Sequence, residues 1–191
     1  MFVGHYGVSF AAKRVAPMIP LWVLFIAVQL LDVFWAPFIL LGIEKVRIVP
    51  GITASNPLDL YYMPYTHSLL AALLWSAGAL LVYRLFPRLG LAGRAAFVVG
   101  LAVFSHWILD FLVHRPDLPL YDNTAKVGLG LWNAPALAFA LEAGLLFGGM
   151  WKQTVGIERL LSYTALLCLL GAFLLIVGIK WFFRRDYERI H

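Results

Sequence analysis

The chain has 191 residues, 62% of them apolar and 13% charged, and its mean hydropathy of +0.85 lies far above that of a soluble globule. Lys and Arg number 15 against 10 Asp and Glu, a net charge of +5, but most of these cations flank long apolar runs, so they read as membrane-interface anchors and exclude a nucleic-acid footprint. The one cysteine, Cys168, lies inside an apolar run, which excludes an intramolecular disulfide and a thiolate cluster.

Residues 2 to 12, FVGHYGVSFAA, are too short to cross a bilayer and end at Lys13 and Arg14 before Pro17 and Pro20. They predict a short helix half-buried in the membrane. No basic leader or small-residue cleavage site is evident, so the N-terminus is expected to be retained. A spanning helix needs about 20 apolar residues, and windows near 18–43, 65–86, 91–113, 132–150 and 161–183 meet that length. The expected fold is therefore all-α: residues 1–191 form one polytopic membrane bundle of about five transmembrane helices plus the short N-terminal helix. Pro37 predicts a break in the first window near Trp35 to Pro37. The stretches from Glu44 to Pro64 and from Arg115 to Leu131 are rich in turn residues and predict ordered loops on one side.

On the other side Lys13, Arg14, Arg84, Arg88, Arg94, Lys152 and Arg159 favour the cytoplasm, while Lys180, Arg184, Arg185 and Arg189 at the far end favour the reverse. Orientation stays open. So does the oligomeric state, because Gly-containing runs such as AGLLFGG can pack helices within one chain or between copies in a homo-oligomer.

A charge at the bilayer centre costs about 2.5 to 3.5 kcal/mol, so each one calls for a partner or a task. In FSHWILDFLVHRPD, His106, Asp110 and His114 recur every fourth residue and share one helical face. Imidazole and carboxylate so spaced can ligate a divalent metal; the bland alternative is a polar pair that orders helix packing. His67 opens the second window on the same side, although a helix-start histidine is also a common cap. If the first helix packs antiparallel to the first window, His5 lies about 12 Å and Asp32 about 18 to 20 Å from the Lys13–Arg14 turn, at neighbouring depths. Glu142, in mid-window, is a candidate ligand, support for a histidine, or general base, or else a protonated bridge between helices. Asn133 reads as a helix cap. Arg115, Asp117 and Asp59 could shape a polar mouth or bind a headgroup, with mutual surface pairing as the alternative.

At GHYGVSF, LLDVFWAP, YTHSLL and SHWILDFLVHRPD, over roughly residues 1 to 115, the chain resembles the bacterial predicted membrane-bound metal-dependent hydrolases of the LexA-regulated inner-membrane type. The resemblance implies His5, Asp32, His67, His106 and Asp110 as metal-site residues and the bacterial inner membrane as location. It also implies a distant likeness to zinc-dependent phospholipase C, hence lipid or phosphoester substrates. The chain departs from that family in having LLDVF where Pro-Asp and a further acid are common, and MetProTyr before Thr-His-Ser; Asp59, His114 or Glu142 could compensate.

The expected function is hydrolysis of a lipid, phospholipid or lipid-linked phosphoester by a metal-activated water, with zinc, manganese or iron as the metal and Glu142 or Asp32 taking the proton. A proton or divalent-cation pathway through the same residues, and a non-catalytic helical protein, are the competing expectations.

Overall fold

A computed structural model describes residues 3–85 and 92–151. The fifth window, Cys168, Arg88, Lys152, Arg159 and the C-terminal basic residues lie outside them. The described chain is mostly helical, in the order α1 (Val3–Val15), α2 (Leu21–Val28), α3 (Leu30–Leu40), β1 (Lys45–Ile48), β2 (Leu58–Tyr62), α4 (Leu69–Leu85), α5 (Ala92–Val113) and α6 (Pro135–Met150), with a 3-10 turn at Leu131–Asn133.

Helix α5 is the hub, touching α1, α2, α3 and α4. Its C-terminal half joins two apolar clusters: Leu109 and Val113 pack with Val8, Leu141 and Leu145, while Phe111 reaches Leu60, Met63 and Leu118. The first part of helix α1 is enclosed by protein, with His5, Ser9 and Phe10 fully buried and Tyr6 nearly so, while Ala11, Arg14 and Val15 are exposed. It runs antiparallel to α2: Ser9 donates to the Leu24 carbonyl, and nearer its start His5 stacks on His106, whose partner is the Val28 carbonyl. On its other side α1 meets α6 backbone to backbone, because a Cβ on Gly7 would strike the Leu145 carbonyl and one on Gly149 would strike Gly7.

Of the four expected spans that fall on described residues, not all are helices long enough to cross a membrane. Among the described residues, α5 over Gly93–Val113 is long and apolar enough to cross a membrane, and α2 with α3 passes as a pair bent by 51°. Helices α4 and α6 are apolar but have 17 and 16 residues. Each is shortened at its start: Ser68 caps α4 by accepting the Ala71 N–H, and the 3-10 turn occupies the opening of the fourth window. Asn133 belongs to that turn and caps nothing, since α6 begins after Ala134 without a side-chain cap.

The break in the first window falls at Gln29, with Pro37 accommodated inside α3. In a continuous helix the Val28 carbonyl would accept the Asp32 N–H. Here it accepts from His106 Nδ1 at 2.7 Å. The bend thus has a partner on α5, and proline is not its cause.

The loop after Glu44 is a β-hairpin, with Arg47 opposite Asp59 and Ile48 opposite Leu58, a small sheet where only turns were expected. The loop after α5 folds back on its own helix: the Leu129 and Gly130 N–H groups bond the Phe111 and His114 carbonyls. Gly128, at φ 155°, is required there because a Cβ would strike the His114 and Arg115 carbonyls.

Candidate metal centre

Four elements deliver side chains to one buried point. His5 comes from α1, Asp32 from the first turn of α3, His67 from the residues before α4, and His106 and Asp110 from one face of α5. The i, i+4 spacing sets His106 Nε2 at 3.1 Å from Asp110 Oδ2, and His5 Nε2 lies 3.3 Å from Asp110 Oδ1. His67 Nε2 stands 3.4 Å from Asp32 Oδ1 and 3.7 Å from Asp110 Oδ2, and His106 Nε2 is 3.7 Å from Asp32 Oδ1. The atoms form two overlapping triads, His5–His106–Asp110 and Asp32–His67–His106, each with its donors within 4.8 Å of one another. All are buried except Asp32, whose side chain is 32% exposed.

Tautomers decide what this geometry means. His106 Nδ1 faces a carbonyl, which can only accept, so Nδ1 carries a proton and Nε2 faces the carboxylate oxygens, as the N–H of an imidazolium or, in the neutral ring, as a lone pair. His114 repeats the pattern, with Nδ1 2.9 Å from Asp117 Oδ1 and Nε2 3.7 Å from Asp110 Oδ2. Among the described residues, His106 Nε2 and both ring nitrogens of His5 have no hydrogen-bond partner. A histidine lone pair directed at a carboxylate inside protein is unfavourable unless a proton or a metal ion lies between them. Separations of 3.1 to 3.7 Å also bracket the donor spacing of about 3.3 Å around a tetrahedral ion with bonds of about 2.0 to 2.1 Å. These residues therefore fit a divalent metal.

The Thr-His-Ser segment assigns one task to each residue. Ser68 starts α4, His67 reaches the centre with its carbonyl held by Trp107 Nε1 at 3.0 Å, and Thr66 Oγ1 sits 2.7 Å from His67 Nδ1. Behind His114 a polar chain runs outward: Asp117 meets Arg115 at 3.2 Å, Arg115 pairs with Asp59, and Asp59 with Arg47 at 2.6 Å. Arg115, Asp117 and Asp59 are thus joined to the cluster through His114. Nearby, Lys126 donates to the Tyr61 carbonyl at 2.7 Å, and burial lowers its pKa from the ordinary lysine value.

Glu142 is placed elsewhere. Its Oε2 accepts the Val3 and Gly4 N–H groups at 3.1 and 3.2 Å, so it caps α1, the helix that carries His5. Its middle-of-helix position suggested a proton acceptor; the start of α1 lying alongside explains the carboxylate instead. Glu44 was missed by sequence reading, which took it only as the edge of a loop. It is 1% exposed and binds the Tyr65–Thr66 turn. A lone acid among GIEKVR gives no signal of that, because its partners are more than 20 residues away.

Fold and cluster together define a helical bundle with a buried His and Asp centre that could hold a divalent metal. Comparison of the chain with family models, with curated proteins and with solved structures finds no match.

Proposed function

We propose that the chain is a membrane-embedded, metal-dependent hydrolase of a lipid, phospholipid or lipid-linked phosphoester, with zinc as the favoured metal. The observation that carries this reading is the convergence of His5, His67 and His106 Nε2 on the carboxylates of Asp32 and Asp110. A divalent cation held there supplies Lewis acidity and lowers the pKa of a water. His106 and Asp110, fully enclosed, hold it; Asp32, at the open edge, is the carboxylate best placed to accept a proton from a water entering on that side. His114, braced by Asp117, sets its Nε2 3.7 Å from Asp110 Oδ2 at the edge of the same centre.

Location in a bilayer is supported by the apolar length of α5 and by the side chains that α4 leaves outside, among them Leu70, Leu73, Leu74, Leu81 and Leu85. The motif likeness described above points to the bacterial inner membrane. An amphipathic substrate suits a centre enclosed by such helices and bordered by the Arg47–Asp59–Arg115 chain.

The test is elemental analysis of the detergent-purified protein beside Asp110→Asn and a His106→Ala/Asp110→Ala double variant, followed by assay on phospholipid and lipid-phosphate vesicles. About one or two equivalents of metal, lost in both variants, together with phosphate or headgroup release by the wild type alone, is the expected result. Protein that purifies and dialyses free of zinc, manganese and iron sinks the hydrolase.

A further inference from the structure

We propose that Glu44 is a positioning residue for this centre: acting through the Thr66 hydroxyl, it fixes His67 with Nδ1 protonated and Nε2 turned to Asp32 and Asp110. The proposal rests on the metal reading above and deepens it.

Glu44 Oε1 accepts the Tyr65 N–H at 2.8 Å and the Thr66 N–H at 2.9 Å, and Oε2 lies 2.6 Å from Thr66 Oγ1. All three partners donate, which is the environment of an ionised carboxylate. The Thr66 hydroxyl has a single proton. An ionised carboxylate can only accept, so that proton points to Glu44, and Thr66 Oγ1 turns a lone pair toward His67 Nδ1 at 2.7 Å. Nδ1 must then carry the ring proton, and Nε2 keeps the lone pair that sits 3.4 Å from Asp32.

Without this relay the hydroxyl could rotate and donate to Nδ1, moving the ring proton to Nε2 and closing the nitrogen to a metal. The relay also links a buried negative charge to the imidazole, and a histidine whose second nitrogen donates toward a carboxylate is the stronger ligand. None of the three donors to Glu44 carries a formal charge, so a cation on His67 Nε2 is the counter-charge that the relay reaches. His106 and His114 are braced through the same nitrogen by a carbonyl and by Asp117, which makes Glu44 the third brace of one design.

The test measures zinc affinity by competition with a chromogenic chelator, and the d–d absorption of the cobalt-substituted protein, for the wild type, Thr66→Val, Thr66→Ser, Glu44→Gln and the Glu44→Gln/Thr66→Val double variant. Thr66→Val and Glu44→Gln are each expected to weaken zinc binding by about 10- to 100-fold and to shift the cobalt bands. Thr66→Ser keeps the hydroxyl and is expected within about twofold of the wild type; the double variant is expected to lose little beyond the worse single one, since both act through one relay. Glu44→Gln retains an amide oxygen for the backbone N–H groups, so the turn keeps acceptors if Thr66→Val does not fold. Wild-type zinc affinity and cobalt spectrum in a folded Thr66→Val or Glu44→Gln protein overturn the positioning role and leave the metal reading intact, as does full multiplication of the two losses. A wild type that binds no zinc takes down both.

Discussion

From Ala95 to Val103 the buried residues of α5 are all apolar, Ala95, Ala96, Val98, Val99, Ala102 and Val103, whereas beyond them it buries His106 and Asp110 among Trp107, Leu109 and Val113 and, just past its end, His114. In the first half small side chains admit α4 closely, with Gly100 set against the Ser76 carbonyl. That packing needs nothing beyond its neighbours, because close-fitting apolar side chains gain dispersion contacts and carry no group that calls for a partner. In the second half the same helix encloses charged and polar groups, and burying them is unfavourable unless each finds a partner. The contrast separates the part of the helix that holds the fold together from the part whose buried polar groups could hold a metal ion at the expense of stability.

The sharpest break of that contrast is Asp110→Asn. It is expected to lower zinc affinity more than 100-fold, because Asp110 faces His5, His67 and His106 together, while the metal-free protein melts no lower than the wild type. Chelator competition and a thermal scan in EDTA measure the two effects. Val103→Ala tests the opposite half: a fully buried valine reduced to alanine should cost about 2 kcal/mol of stability and leave zinc affinity unchanged, read by denaturation with and without zinc. Asp117→Asn is smaller. It keeps the shape but weakens the brace on His114, and about a tenfold loss of zinc affinity is expected by the same titration. Asn133→Ala, at a position that caps no helix, should change the melting free energy by less than about 0.5 kcal/mol.

The centre was legible in sequence where helical period did the work. His106, Asp110 and His114 share a face because four residues turn about 40° past a full revolution, and the structure places both histidines beside the Asp110 carboxylate. The rise per residue likewise placed His5 and Asp32 at neighbouring depths. What escaped depends on contacts distant in sequence. Pro37 was a local reason for a bend, but the bend sits at Gln29, where a histidine 78 residues away holds the Val28 carbonyl. Glu142 looked free for chemistry until the start of α1 lay beside it. The hairpin had a local signal in the alternation of KVRI and LDLYY, short enough to be hidden among turn residues.

The backbone contact of α1 with α6 also fixes an order of events. His5 is synthesised before α6, yet the helix that carries it packs most broadly against α6, which begins about 130 residues later. Loop closure over that distance must precede the contact, so α1 is made early and its broadest contact forms late. A nascent chain halted before α6 has α2 and α5 to receive α1 but lacks the helix that α1 packs against most broadly.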